Sequence, residues 1–319
     1  MTARPPEVPP TKGSPEVPPA GRQLEILAPG PLTTLQDLGR PGWAHLGVTA
    51  SGAADTRSLT LANRLLGNPE NTAALELTLG GVRARIHSRR PDAAPAVLHL
   101  ALTGASCPVR LDGRAIGMNA PVAARDGQLL DIGAPTSGLR TYLAVRGGFD
   151  VPPVLGSRAT DLLSGLGPPP LTAGDLLPVA PATGALPGVD LAPCAAPPAA
   201  FTLRVVPGPR EEWFDAASRQ ALYRAAWTAT SRSNRVGVRL EGPALVRSGS
   251  GELPAEGMVR GALQVPPNGQ PILFLADHPV TGGYPVIGVV HADDLPLAGQ
   301  LPPGAPLRFR RYAAVRAPR

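Results

Sequence analysis

Residues 140–150 of the chain read Arg-Thr-Tyr-Leu-Ala-Val-Arg-Gly-Gly-Phe-Asp. The run from Arg140 to Val145 is short and largely apolar, and the pair Gly147-Gly148 follows it after Arg146. A short run of Leu, Val and aromatic residues that ends at a glycine turn is typical of a β-strand. This stretch therefore predicts a fold built from short strands, either an all-β barrel or a sandwich.

The same pattern recurs on both sides of this stretch. The predicted strands are Glu76–Leu79, Val82–His87, Val97–Thr103 and Leu129–Ile132 in the first half, and Phe201–Val206, Val236–Leu240, Gly261–Val265, Pro271–Leu275 and Val286–Val290 in the second. A glycine turn precedes an apolar strand at Gly127, Gly174 and Gly304, which predicts related barrel corners.

Few helices are predicted. The clearest runs from about Asp55 to Leu66, with Asp55 as its N-cap and Gly67 after its end. A second is predicted around residues 215–226, where Ala and Leu recur at helical spacing. We expect one or two helices to pack on each β-rich half.

The composition supports a folded, strand-rich chain. Of 319 residues, 41 are Pro and 37 are Gly, which excludes a helical bundle or a coiled coil. Hydrophobic residues make up 43% and charged residues 17%, so most of the chain is expected to bury a core. We predict a mainly β fold in four parts: a disordered Pro-rich tail (1–21), a β-rich domain (22–180), a Pro/Ala-rich linker (181–200) and a second β-rich domain (201–319).

Lysine is nearly absent. Lys12, in the Pro-rich tail, is the only lysine among the 30 Lys and Arg residues. The predicted folded body cannot supply the lysine of a Walker phosphate loop, a Schiff base, a Ser-Lys hydrolase or a biotin attachment site. No covalently attached biotin is therefore expected, and the chain is expected to act within a complex.

Charge and cysteine content exclude further classes. The formal net charge is +6, but the arginines are scattered and no basic run is interleaved with aromatics, so no nucleic-acid partner is expected. Two isolated cysteines and five scattered histidines lack metal-ligand spacing, so no metal site is predicted. Neither a signal-peptide pattern nor the roughly 18 apolar residues of a membrane helix occurs, and a cytoplasmic location is expected.

The glycine-rich approach to the first predicted helix is one candidate site. Its candidate residues are Asp37, Arg40, Ser51, Gly52 and Asp55. Unpaired backbone N–H groups at a helix N-terminus can hold a carboxylate, a carbamate or a phosphate. An ordinary tight turn with a helix cap would give the same pattern, so the segment is a structural or anion-binding loop.

The opening stretch supplies a second candidate. The fork of the Arg146 guanidinium suits a carboxylate, and Gly147 lets a ligand or another backbone approach closely. We predict that these two residues bind substrate. A β-bulge with a surface salt bridge is the alternative.

The most polar loop lies between two predicted strands of the second half. Asp277 and His278 are predicted to be catalytic, as groups that transfer protons. Donors for an oxyanion come from the end of the loop, namely the predicted catalytic hydroxyls of Thr281 and Tyr284 and the predicted substrate-binding amides of Gly282 and Gly283. A wide β-hairpin connection is the alternative.

Taken in order, these segments resemble the biotin-dependent carboxyltransferase family, also called allophanate hydrolase subunit 2. The motifs are LQDLGRPG (Leu35–Gly42), SGAAD (Ser51–Asp55), LANRLLGNPENTAALE (Leu61–Glu76), LTGA (Leu102–Ala105), YLAVRGGFDVPPVLGSRAT (Tyr142–Thr160), SNRVGVRLEG (Ser233–Gly242), ALQVPPNGQPI (Ala262–Ile272) and TGGYP (Thr281–Pro285). The resemblance covers nearly everything from residue 24 to 312.

The resemblance implies a cyclophilin-like β-barrel in each half. Bacterial members of the family include the C subunit of 5-oxoprolinase, which implies the B and A subunits of 5-oxoprolinase as partners and the ATP-dependent opening of a small cyclic amide, 5-oxoproline, to glutamate. ATP with Mg is then expected at the level of the complex. Arg235, in the SNRVG motif, becomes a further candidate for the substrate carboxylate.

Other members of the family have other roles. One is a carboxyltransferase that takes the carboxyl group of carboxybiotin from a separate carrier, as in urea carboxylase. Another is a non-catalytic regulator of the Kip type, which binds a partner of similar fold. Both alternatives stay open on the sequence alone.

Overall fold

The computed structural model describes residues 21–88, 97–248 and 253–312. The predicted disordered tail, residues 1–21, lies outside these ranges except for its last residue.

The first half of the chain forms two antiparallel sheets. Its strands are β1 (Arg22–Pro29), β2 (Leu32–Gln36), β3 (Ala74–Thr78), β4 (Val82–Ser88), β5 (Leu98–Ser106), β6 (Val109–Leu111), β7 (Arg114–Ile116), β8 (Pro121–Ala124), β9 (Leu129–Ile132), β10 (Ser137–Val145) and β11 (Leu176–Pro178). The six-stranded sheet has the order β11-β1-β4-β9-β6-β7, and the five-stranded sheet has the order β2-β3-β10-β5-β8.

One apolar core lies between these two sheets. Leu24 and Ile86 contribute to it from the six-stranded sheet, and Leu100 and Leu143 from the five-stranded sheet. Burial alternates along β4, as expected where one face of a strand points inward. Each sheet therefore buries its apolar face against the other.

The second half forms a closed barrel. Its strands are β12 (Phe201–Pro207), β13 (Trp227–Ala229), β14 (Gly237–Glu241), β15 (Glu256–Gly257), β16 (Ala262–Gln264), β17 (Ile272–Phe274), β18 (Thr281–Gly282), β19 (Val286–Val290) and β20 (Pro306–Arg311). The barrel has the order β12-β19-β16-β17-β14-β13-β20, and parallel pairing of β12 with β20 closes it. β15 and β18 form a separate two-stranded sheet.

The described ranges contain three α-helices, α1 (Thr56–Leu65), α2 (Ala216–Arg224) and α3 (Leu295–Ala298). The Asp55 side chain caps α1 by accepting a hydrogen bond from the Ser58 backbone N–H. The buried face of α1 packs against Tyr142 of the five-stranded sheet. Both predicted helices are confirmed within a few residues.

The mainly β prediction is confirmed, and each of the ten predicted strands overlaps an observed one. Gly127, Gly174 and Gly304 have φ of 80°, 92° and 82°, a left-handed conformation that glycine adopts without a steric cost. Each stands just before a strand, as the turn pattern predicts. None of the helices in the described ranges has the length and apolar character needed to span a bilayer.

Residues 181–200 contain neither a helix nor a strand. Ala192 donates a backbone hydrogen bond to the Asn119 carbonyl, so this stretch lies along the first half. The assignment of domains at its two ends stays a prediction. Beyond it, Gln300 of the second half hydrogen-bonds to Asp55 and to β10, which brings the two halves together beside α1.

Candidate functional site

Four charged residues meet where the two halves join. We call Glu76, Arg140, Arg235 and Asp277 the ionic cluster. Arg235 donates to both carboxylate oxygens of Asp277, at 2.9 and 3.0 Å, and forms a very short contact with Glu76 Oε1. The side chains of Arg235, Glu76 and Asp277 are fully buried. A guanidinium between two carboxylates balances charges that would be costly to bury singly.

The structure occupies all the acceptor positions of Asp277. Besides the two bonds from Arg235, Oδ1 accepts from the Ser51 hydroxyl at 2.7 Å and Oδ2 accepts from the Leu162 N–H at 3.1 Å. A carboxylate has about four lone-pair sites, and each is in use. Asp277 is therefore placed to hold Arg235 and the Ser51 loop, and the predicted proton-transfer role does not fit this arrangement.

Arg235 is likewise fully engaged. Its Nη2 also donates to the Gly52 carbonyl at 2.6 Å. No pair of neighbouring N–H groups of the guanidinium is therefore left to bind a substrate carboxylate. The sequence analysis placed Ser51 and Gly52 in a structural or anion-binding loop, Arg235 among the substrate-binding residues and Asp277 among the catalytic residues. The structure brings all four together.

Glu76 is the central anion of the cluster. Its Oε2 accepts from the Ala54 N–H at 2.8 Å and from the Tyr142 hydroxyl at 2.7 Å, and the Arg140 Nε lies 3.3 Å from Oε1. Burial raises the pKa of Glu76, but Arg235, Arg140 and these hydrogen bonds outweigh it and lower the pKa to about 2. Glu76 is therefore ionised at every physiological pH.

The segment before α1 holds an anion, but the anion belongs to the chain itself. The Ala54 N–H points at Glu76, and the Asp55 N–H donates to the Tyr142 hydroxyl at 2.8 Å. Asp55 accepts from Ser58 of α1 and, at 2.8 Å, from Gln300 of the second half. The backbone donors predicted to bind an external anion are thus already used within the protein.

Asp37 and Arg40 lie in a neighbouring network that fixes residues 154–161. Asp37 accepts from the Ser157 hydroxyl at 2.6 Å and from the Arg158 N–H at 2.7 Å. Arg40 is 1% exposed and donates to the carbonyls of Val154 and Ala159. Both residues position loops, which matches the structural half of the prediction for this segment.

Arg146 and Gly147 lie away from the ionic cluster. The Arg146 guanidinium donates to the carbonyls of Leu66, at 2.6 Å, and Gly184, at 2.7 Å. The Gly147 N–H donates to the Asn68 side chain at 2.9 Å. These contacts attach residues 183–185 to the end of α1, so the predicted substrate-carboxylate role of Arg146 does not fit its contacts.

His278 follows Asp277 directly and is 9% exposed. Its Nδ1 lies 2.8 Å from the Pro279 carbonyl oxygen, which only accepts, so Nδ1 carries the proton. Nε2 forms no hydrogen bond with any residue of the described ranges. Burial, and secondarily Arg260, lower the pKa of His278. The imidazole is thus neutral at physiological pH, with Nε2 able to accept a proton.

Residues 278–284, which we call the rim loop, run from buried His278 to the surface. Thr281 and Gly282 form β18 and pair with Gly257 and Glu256 of β15. Gly283 is exposed, and Tyr284 is 43% exposed. The surface end of the rim loop is therefore accessible to a ligand at Thr281, Gly283 and Tyr284, unlike the side chains of the ionic cluster.

The sequence did not single out Glu76 or Arg260 as site residues. Glu76 carried a signal, because it is a lone charge in the otherwise apolar strand β3. Arg260 carried no such sequence signal, since an arginine just before a strand is common. Its Nη2 donates to the Ala54 carbonyl, and burial, with Arg235 next, lowers its pKa.

A cavity of about 400 Å³ opens beside α1. Asp55, Ser58 and Gln300 line part of it, and Cys194 and Pro197 of the Pro-rich stretch line another part. This volume suits a small organic molecule. The predicted catalytic residues are not among those lining it.

Residues 21–88, 97–248 and 253–312 contain no group of three or more His, Cys, Asp and Glu side chains placed to hold a metal ion. The groups of the candidate site that remain for chemistry are the His278 imidazole and the exposed end of the rim loop, next to the charge-balanced ionic cluster.

The chain resembles proteins of known families over nearly its whole length. The family model described as carboxyltransferase domain, subdomain A and B, matches residues 46–311. The chain is 39% identical to the C subunit of 5-oxoprolinase from Escherichia coli strain K12 over 289 residues, which cover 90% of each protein. It is 33% identical to the protein of that name from Haemophilus influenzae over 297 residues, 92% of this chain and 93% of the relative.

Solved structures show the same fold. The crystal structure of the Kluyveromyces lactis urea amidolyase superposes with a TM-score of 0.82 at 30% identity. The match covers 91% of this chain and 19% of the K. lactis chain, so the fold described above is about one fifth of that larger protein.

Proposed function

The chain belongs to the family described as carboxyltransferase domain, subdomain A and B, and on that premise we propose that it is the C subunit of an ATP-dependent 5-oxoprolinase. In this proposal it opens 5-oxo-L-proline to L-glutamate together with the A and B subunits. The observation that carries the proposal is the 39% identity to the E. coli protein, which extends over 90% of both chains. A match of that extent supports a counterpart of the whole subunit.

Opening a lactam requires proton transfer and stabilisation of a charged tetrahedral intermediate. In the proposed site His278 transfers the proton through Nε2, because its Nδ1 is fixed by the Pro279 carbonyl. Thr281, Tyr284 and the Gly282–Gly283 amides of the rim loop supply donors for the oxyanion. The exposure of the end of this loop supports that role.

The ionic cluster holds the residue next to His278 in a fixed position. Asp277 is held by Arg235, Ser51 and Leu162, and it directly precedes His278 in the chain. A fixed Asp277 limits where the His278 ring can lie. We propose that the cluster positions His278 and does not contact substrate.

ATP and Mg do not fit the described residues of this chain. These residues include no metal-binding group of acidic side chains, and lysine is absent from them. The expected nucleotide therefore belongs to a partner subunit or to a site that a partner completes. The A and B subunits are part of the proposal as partners.

The test is ATP-dependent glutamate release from 5-oxo-L-proline by the co-expressed subunits, with this chain omitted in a parallel preparation. The proposal predicts that omission abolishes release and that adding the purified chain restores it. Release that is unchanged without this chain would refute the proposal.

One observation favours a second function. The K. lactis match shows that this fold also occurs within a urea amidolyase. A carboxyltransferase that uses carboxybiotin on a separate carrier would agree with it, since the folded body has no lysine for biotin attachment. ATP-dependent carboxylation of urea, dependent on an added biotin carrier protein, would support this second function over the first.

A further inference from the structure

Arg260 is a third guanidinium at the junction of the halves, and it has no counter-ion among the described residues. Its one hydrogen bond goes from Nη2 to the Ala54 carbonyl. Its Nε is buried without a partner, and no carboxylate of the described residues forms an ion pair with it. Arg235 and Arg140, by contrast, each lie against Glu76.

The acidic residues near Arg260 are committed elsewhere. Glu76 binds Arg235, Tyr142 and the Ala54 N–H, and Asp55 binds Ser58 and Gln300. A cation taken out of water is costly unless an anion accompanies it. Neither the Glu76 nor the Asp55 carboxylate forms an ion pair with Arg260. The Arg260 guanidinium is therefore free to bind the anion of a ligand.

We propose that Arg260 binds the carboxylate of the substrate, beside the imidazole of His278. A planar carboxylate matches the donor fork of a guanidinium. The two arginines that the sequence suggested for this role, Arg146 and Arg235, already donate to the protein's own oxygens. The Met258 N–H donates to the Val280 carbonyl at 2.8 Å and the Gly261 N–H donates to the Phe274 carbonyl at 2.9 Å, so the backbone segment that carries Arg260 is paired with residues on both sides of His278.

This inference rests on the proposed function, because 5-oxoproline carries one carboxylate next to its lactam. The same chemistry occurs in the carboxyl group that a biotin carrier would deliver. The shared ligand class is a carboxylate monoanion, and the experiment separates the two sources.

The test measures binding by isothermal titration calorimetry to the co-expressed complex without ATP, and to the chain alone. The probes are 5-oxo-L-proline, 2-pyrrolidinone, which is the same lactam without the carboxylate, and bicarbonate. We expect 5-oxoproline to bind about tenfold to a hundredfold more tightly than 2-pyrrolidinone. Arg260→Met should remove this difference, and Arg260→Lys should keep part of it.

Arg239, exposed on β14, provides the matched control, and Arg239→Met should bind all probes like the wild type. Arg260→Met should melt no lower than the wild type, because it removes a half-buried cation that forms no ion pair with the described residues. A loss of binding in a variant of unchanged Tm then reports the lost contact.

Two results would overturn the proposal: Arg260→Met binds both 5-oxoproline and bicarbonate as the wild type does, or neither anion binds more tightly than 2-pyrrolidinone in either preparation. If Arg260→Met loses bicarbonate binding but keeps 5-oxoproline binding, Arg260 is still an anion-binding residue. Its ligand is then the carboxyl group that a biotin carrier delivers. A failure of the proposed function would give a different result. Glutamate release would then continue without this chain, while 5-oxoproline would still bind more tightly than 2-pyrrolidinone.

Discussion

The ionic cluster and the rim loop are joined at Asp277–His278, yet they differ in burial and in charge. The side chains of Glu76, Arg235 and Asp277 are fully buried and their charges are neutralised within the protein. The rim loop ends in Tyr284, which is 43% exposed. The charged residues of the cluster therefore stabilise the junction, and the residues able to meet a ligand lie beside them. Stability and activity should respond to different substitutions.

The largest effect is expected for Arg235→Met. This change leaves Glu76 and Asp277 buried without their shared cation, which should lower the free energy of unfolding by about 3–5 kcal/mol. Urea denaturation measures the change. Arg239→Met, at an exposed position, should stay within about 0.5 kcal/mol of the wild type. A loss below about 1 kcal/mol for Arg235→Met would mean that the cluster does not hold the junction together.

The next effect is a pH dependence that Glu76 produces. Its pKa in the folded protein is about 2, below the value of 4.5 for the free side chain. Because the folded-state pKa is the lower one, the ionised group stabilises the fold fully above about pH 4.5, and this contribution is lost as the pH falls towards about 2. The contribution should be about 3 kcal/mol.

Denaturation at a series of pH values, with Glu76→Gln as the comparison, tests this. The difference in unfolding free energy between wild type and variant should be largest near neutral pH and shrink as the pH falls through this window. A difference that stays constant between pH 6 and the acid limit would show that Glu76 is not the group responsible.

A smaller effect is expected for Tyr142→Phe. The hydroxyl donates to Glu76 and accepts from the Asp55 N–H, so its removal leaves the buried Asp55 N–H without its acceptor and takes one of two hydrogen bonds from Glu76 Oε2. Such a loss should cost about 1–3 kcal/mol of unfolding free energy. Thermal and urea unfolding measure it, and an unchanged stability would mean that water or a rearranged side chain replaces the hydroxyl.

The smallest change in stability is expected for Tyr284→Phe, which makes the same chemical change on the rim loop. Since Tyr284 is 43% exposed, its unfolding free energy should stay within about 0.5 kcal/mol of the wild type. Glutamate release by the reconstituted complex should nevertheless fall, if the hydroxyl assists the oxyanion. Full activity with unchanged stability would remove Tyr284 from the proposed site.

The strands and turns could be predicted because their signals are local. Short apolar runs such as Leu129–Ile132 match the observed strand, and Gly127 marks the turn before it. Strands such as β6 and β7 have three residues each and carry too little periodicity to be recognised. Strand pairing, including the parallel closure of β12 with β20, depends on contacts far apart in sequence and could not be predicted.

The candidate site was predicted in part. Ser51, Arg235 and Asp277 were selected by residue type and motif, and they do lie together. The roles predicted for Arg235 and Asp277, substrate binding and catalysis, stay predictions that their contacts with each other do not favour, because a sequence does not show that a carboxylate and a guanidinium will form an ion pair. Arg260 was missed for the converse reason, since the absence of a counter-ion among the described residues is visible only in three dimensions.

The separation of a buried stabilising cluster from a catalytic rim can be tested in one variant, His278→Asn, through the rate of ATP-dependent glutamate release by the co-expressed subunits. Asparagine can still donate to the Pro279 carbonyl from the position of Nδ1, but it has no base in place of Nε2. We expect the rate to fall about a hundredfold or more while the unfolding free energy of the chain stays near that of the wild type. A His278→Asn complex that releases glutamate at the wild-type rate would contradict this separation of roles.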